Sequence, residues 1–193
     1  MSAILGPAGN CEAFYEAGHK SSLEAPKWVS QMGLGAYEYQ CGKGVKLSVD
    51  AAKKLGKAAA ENNVLLSVHA PYYISLSSAE SEKRDKSIDY ILKTLTVAKA
   101  MGAKRIVVHS GTAGDLTRRQ AMELAKDTLL RSLDAAKSAG FGDILICPET
   151  MGKLAQIGTV EEIVRFCKID PVFTPCIDFG HINAREQGSL KTV

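Results

Sequence analysis

The chain has 193 residues, 46% of them hydrophobic and 23% charged, with 24 Lys and Arg against 21 Asp and Glu for a formal net charge of +3. These values exclude a disordered or low-complexity chain and fit one globular domain of roughly 100–200 residues with a sizeable core. The charge is too small to diagnose a nucleic-acid binder, yet it does not oppose an anionic partner.

In chain order, the first apolar run is Ala3 to Gly6, which reads as a strand. It leads into GPAGN, where Gly6 and Gly9 do not complete Gly-x-Gly-x-x-Gly, and no Gly-Lys-Ser/Thr loop occurs anywhere, so no nucleotide cofactor is expected. The start MSAILGPAGN lacks a basic segment followed by a long apolar one, and no apolar run approaches the ~18 residues of a membrane span, so a cytoplasmic protein without membrane attachment is expected. Further strands are expected at Ala36 to Gln40, Leu65 to Ala70, Arg105 to Ser110, Asp143 to Glu149 and Thr174 to Phe179. Each is short and mostly apolar, as parallel strands covered on both faces should be.

Between them lie helical patterns. Ile88, Ile91, Leu92, Leu95 and Ala98, and then Met122, Ala125, Leu129, Leu133 and Ala136, recur near every 3.6 residues. Thr117 with Gln120 and Thr159 with Glu162 have capping-box spacing, and Gly33, Gly102 and Gly140 fall where a helix ends in a left-handed residue. The five cysteines, Cys11, Cys41, Cys147, Cys167 and Cys176, are odd in number and show no Cys-x-x-Cys, which points to reduced thiols.

Alternating β and α segments imply a parallel sheet, open or closed. A (β/α) barrel is favoured because polar residues fall at the C-terminal ends of several different strands. His69 ends LLSVH and His109 ends RIVVH. Glu149 closes DILICPE, and Asp178 closes TPCID with His181 three residues on. Strand alternation puts Ser67 and His69 on one face, and Cys147 and Glu149 likewise, so these side chains can converge on a barrel axis. Imidazoles mixed with carboxylates suit Zn²⁺, and also Mn²⁺ or Fe²⁺, and a shared carboxylate can bridge two ions. A multi-metal site is therefore expected. A lone strand-end histidine is more often structural, and a lone strand-end acid as often caps the next helix. Agreement of four strand ends is what tips the balance. Tyr72 and Tyr73 follow His69 directly, where an aromatic can stack on a base or ribose. Lys43 and Lys46, with Arg118 and Arg119, could meet phosphates at the same rim, although a solvated helix start explains the arginines as well.

GPAG, HAPYY, VVHSG, CPET and CIDFGHINA, in this order and spacing, together resemble the endonuclease IV family of apurinic/apyrimidinic endonucleases, within the xylose-isomerase-like TIM barrels. The resemblance covers essentially the whole chain. It implies a TIM-type (β/α) barrel with up to three zinc ions, and a substrate of double-stranded DNA cut 5′ to an abasic site. It also implies metal ligation by His69, His109, Glu149, Asp178 and His181: the first two on one ion, Glu149 bridging as the catalytic carboxylate, Asp178 on a second and His181 on a third. Tyr72 matches a DNA-holding position, with Gln40 and Lys43 as further DNA contacts. Family members continue for about two more βα units that carry further ligands. The expectation is therefore a single domain over residues 1–193 with about six of eight βα units, truncated at the C-terminus. Two other readings stay open: a single-metal sugar isomerase or epimerase of the same superfamily, and a non-catalytic barrel remnant that binds DNA or a partner protein.

Overall fold

The computed structural model describes residues 3–191. Four strands, β1 (Ala36–Gln40), β2 (Leu65–His69), β3 (Arg105–Val108) and β4 (Leu145–Pro148), form one parallel sheet in sequential order. Helices α1 (Glu12–Glu16) and α2 (Ala25–Gln31) precede β1, and α3 (Val49–Glu61), α4 (Ser81–Met101) and α5 (Arg118–Ser138) return the chain from each strand to the next. The helices α6 (Val160–Cys167) and α7 (Phe179–Arg185) follow β4. The alternating order and all-parallel pairing are those of a (β/α) barrel wall. Among the described residues no helix is long and apolar enough to cross a membrane.

Two of the six expected strands need correction. Ala3 to Gly6 and Thr174 to Phe179 are not regular strands; each pairs with the sheet only through bridges, at Ala8 with Glu38, Phe173 with Ile146 and Cys176 with Glu149. The backbone still bonds in parallel fashion, with Ala36 N–H donating to Leu5, Glu38 to Pro7, Thr174 to Ile146 and Cys176 to Pro148. Pro7 in the first segment and Pro148 on β4, opposite the second, have no N–H to donate across the pairing, so the regular ladder is interrupted on both outer segments. Phe179 opens α7 instead of closing a strand. Gly6 has a steric reason, because a Cβ there would lie 1.7 Å from the Ala36 carbonyl oxygen.

The helix expectations hold. Thr117 with Gln120 and Thr159 with Glu162 form complete capping boxes, and Gly33, Gly102 and Gly140 all have positive φ. The outward side chains Val68, Ile106, Val108 and Ile146 are buried against Ile91, Leu95 and Ala98 of α4 and Leu129 and Leu133 of α5. Each such side chain contributes about 1.5–3 kcal/mol by leaving water. A second cluster, Phe14, Ala25, Val29, Tyr37, Ala59 and Val64, seats the N-terminal helices on β1. With one sheet face committed to the helices, the other is left for chemistry.

Candidate metal centre

The inner face is set by register. Gln40 lies opposite His69, Glu38 opposite Ser67, and His69 opposite Val107, which in turn faces Cys147. One period further along, His109 and Glu149 leave β3 and β4 at the same rim. The rim encloses an open cavity of about 700 Å³, lined by Glu38, Gln40, His69, Tyr72, His109, Glu149, Cys176, Asp178 and His181 together with Ala8, Ile177 and Phe179. A groove of similar size, about 770 Å³, lies on the outer surface between α5 and α6 and holds none of these residues.

Glu149 is the centre. It is 5% exposed, and its Oε2 is 3.2 Å from His69 Nε2 and 2.9 Å from His109 Nε2, while Oε1 is 3.7 Å from His181 Nδ1. Burial pushes its carboxyl pKa up, but the bonds to His109 and His69 outweigh this and hold it at about 2. His69 shows the converse. Burial pulls it down, yet the Glu149 contact and the Ala70 carbonyl raise it above its ordinary value, with a smaller contribution from Glu38.

His69 Nδ1 lies 2.8 Å from the Ala70 carbonyl oxygen, which only accepts, so the Nδ1 proton is committed there. Nε2 then faces a carboxylate oxygen with a lone pair unless a proton or a metal ion lies between them. A ring oriented by a backbone carbonyl is also how ligand histidines are commonly held. His181 is also oriented by a backbone carbonyl, but differently: the Nδ1 that lies 2.9 Å from the Thr150 carbonyl oxygen is the same nitrogen that approaches Glu149 and Asp178, so as an ion ligand Nδ1 would have to give up the proton it offers to that carbonyl.

Two donor groups result: His69, His109 and Glu149, and then Glu149, Asp178 and His181, the ligand atoms of each lying within 4.8 Å of one another. Glu149 belongs to both. These donors fit a pair of divalent ions sharing one carboxylate. All five candidate ligands are thus brought together, with His181 beside Glu149 and Asp178. Asp178 also caps α7, accepting from His181 N–H at 2.7 Å.

Of the expected DNA contacts, Tyr72 and Gln40 line the cavity and Lys43 does not; it is exposed on the Cys41–Gly44 turn beside it. The Tyr72 ring stacks on His109 at 5.7 Å and meets His69 edge-on at 5.6 Å. Gly42 lets it lie there, since a Cβ would come within 2.5 Å of the ring. Arg118 is no rim contact. Its guanidinium is engaged by Glu162 and by the Leu154 and Gln156 carbonyls. Two residues not anticipated are Thr150, whose hydroxyl accepts from Asp178 N–H at 2.8 Å, and Glu38.

The sequence profile of the family described as xylose isomerase-like TIM barrel matches residues 26–192. An uncharacterized protein of Methanocaldococcus jannaschii is 35% identical over 171 residues, which make up 89% of this chain and 61% of that protein. A protein of Malacoplasma penetrans named probable endonuclease 4 is 32% identical over 143 residues, 70% of this chain and 47% of it. The chain therefore spans between about half and three fifths of the length of these two relatives. A D-psicose 3-epimerase from Clostridium cellulolyticum H10 superposes with a TM-score of 0.73 at 16% identity, over 91% of this chain and 62% of that one, which shows a common fold.

Proposed function

The chain belongs to the xylose isomerase-like TIM barrel family, and from that premise we propose that it is a metal-dependent phosphodiesterase of the endonuclease IV kind, cutting duplex DNA 5′ to an abasic nucleotide. The observation that carries the reading is the convergence of His69, His109 and His181 on the buried Glu149 carboxylate. A site for one ion needs only Glu149, Asp178 and His181. The His69–His109 pair has its use when a second ion shares Glu149. The relative named probable endonuclease 4 supports the same choice.

His69, His109 and Glu149 would hold one ion and Glu149, Asp178 and His181 another, zinc suiting this donor set best and manganese being the alternative. When bound, such ions acidify water at neutral pH and stabilise charge on phosphoryl oxygens. The chain's own residues do the rest. Ala70 and Thr150 orient two imidazoles, and Tyr72 shields the His69–His109 pair while offering a flat face to an extruded nucleotide. Gln40 provides a polar contact at the rim, and Lys43 a cation for a flanking phosphate. An abasic nucleotide costs least to extrude because no base has to unstack.

A keto-sugar isomerase or epimerase is the second reading, favoured by the Glu149, Asp178 and His181 group, which suffices for one ion. Elemental analysis together with cleavage of a duplex carrying a single abasic site separates the two. About two zinc per chain and chelator-sensitive cutting 5′ to the lesion, lost in Glu149→Ala, are expected. Turnover of keto-sugars by a metal-loaded protein that leaves the duplex intact would reverse the ranking.

A further inference from the structure

The groove between α5 and α6 is built from two matching helix faces. Arg119, Met122, Glu123 and Lys126 recur at three- and four-residue spacing along α5, and Glu162, Arg165, Phe166 and Ile169 repeat that spacing along and just beyond α6. Whereas α3 packs on α4 and α4 on α5, a groove of about 770 Å³ parts these two neighbours. Its floor is apolar, with Phe166 buried and Met122 and Ile169 half-buried. The lining holds five cations, Arg118, Arg119, Lys126, Arg165 and Lys168, against two carboxylates, Glu123 and Glu162. That surplus equals the formal net charge of +3 for the whole chain, so the remainder of the protein is neutral in sum. Arg118 and Glu162 neutralise each other at 2.6 Å. Among the described residues the other four cations are exposed and none forms an ion pair. Beyond Arg119 and Glu123 a second hollow, about 480 Å³, opens onto Leu116 and Leu124, so apolar ground continues past the cations.

A nucleic-acid strand would satisfy the cations but not the floor. Among the described residues no exposed aromatic lines the groove, and Phe166, 1% exposed, offers no ring face on which a base can stack. A peptide that sets carboxylates beside apolar side chains satisfies both. Its apolar groups leave water on the floor while its carboxylates meet arginine and lysine at the margins, the division of an apolar centre and a charged rim found in protein interfaces. We propose that this groove is a docking site for an acidic peptide segment of a partner protein, anchored by an apolar residue seated between α5 and α6. The proposal is independent of the phosphodiesterase reading, since none of the five candidate ligands lines the groove.

The test is fluorescence anisotropy at physiological salt with a labelled synthetic peptide in which pairs of glutamates alternate with leucine and phenylalanine. Saturable binding is expected. Replacing Arg165 and Lys168 together by glutamate, both at exposed positions, should weaken it about tenfold or more, because like charges then face each other, with the fold intact by circular dichroism. A second peptide with serine in place of leucine and phenylalanine keeps the charge and should also bind about tenfold or more weakly, having nothing to bury on the floor. Absence of binding, equal binding of the two peptides, or an affinity indifferent to the charge reversal would overturn the proposal. So would a labelled single-stranded oligonucleotide that binds more tightly than the peptide and loses that advantage in the same variant, which would assign the groove to nucleic acid. Self-association of the chain that the charge reversal abolishes would assign it to a second copy, and would overturn the proposal equally.

Discussion

Glu149 is pulled in two directions, burial favouring its neutral form and two imidazoles its charged one, and the imidazoles prevail. In the metal-stripped chain this fixes a pH window. A carboxyl held at about 2 in the fold against an ordinary 4.5 stabilises the fold above pH 4.5, and the contribution is lost as the pH falls toward 2. His69, raised above its ordinary 6.5, contributes fully below 6.5 and loses its share as the pH rises through its folded value. The cluster should therefore stabilise the metal-free fold most between about 4.5 and 6.5. Zinc should reverse the alkaline limb, because ligand binding displaces the imidazole protons and is favoured as they leave. Urea unfolding of chelator-treated protein across pH 3–9, with and without zinc, reads both effects against Glu149→Gln. A zinc increment that shrinks above pH 6.5, or a Glu149→Gln profile as steep as wild type, would contradict this account of the cluster.

At the scale of elements, the segment after β4 is tied down by two arginines in addition to a backbone bridge between Gln156 and Thr112. Arg118, at the start of α5, bonds the Leu154 and Gln156 carbonyls, and Arg185, in the last turn of α7, bonds those of Met151, Lys153, Leu154 and Gln156. Since α7 carries Asp178 as its cap and His181 in its first turn, Arg185 holds the second donor group against the first. Arg185→Ala should weaken the second zinc by about tenfold, in the range found when partners that orient ligands are removed, and leave the His69, His109 and Glu149 group unchanged. Calorimetric titration of stripped protein with zinc resolves the two events, and equal losses at both would show that Arg185 supports only the fold. None of these carbonyl contacts is legible in the sequence, because backbone acceptors leave no residue signature; from spacing alone, Arg118 reads equally as a rim cation. The five candidate ligands were legible because each ends or follows an apolar strand or opens the next helix. Glu38 was not, since AYEYQ looks like an ordinary alternating strand until register sets it beside Ser67 and His69. Thr150 was hidden by adjacency, its part lying in backbone and hydroxyl bonds to Asp178 and His181. Likewise the two outer strands were legible as extended segments but not as irregular ones, since the breaks come from Pro7 in one segment and from Pro148 on the strand beside the other, which matter only once the pairing is known.

For the whole molecule, the consequence of this arrangement lies at the sheet's margins. A closed barrel leaves no strand edge, whereas here the outermost segments, near residues 4–9 and 172–177, bond only inward to β1 and β4, and among the described residues neither pairs with the other. Ile4 and Leu5 on one margin are 59% and 66% exposed, and Phe179 beyond the other is 68% exposed, so apolar surface accompanies the unpaired backbone. Neighbouring prolines and the irregular ladder blunt these edges only in part. Extended backbone next to exposed apolar side chains is a template for strand addition, and the 193-residue chain should therefore associate reversibly as its concentration rises. Sedimentation velocity over a concentration series reads this directly. Replacing Ile4 and Leu5 together by lysine puts two like charges on the margin, which edge strands commonly use to resist pairing. That variant should stay monomeric at concentrations where wild type does not, with its zinc content unchanged because the donor groups lie across the cavity on other strands. A wild-type chain that remains monomeric throughout would mean that the prolines and the bent ladders suffice to protect both margins.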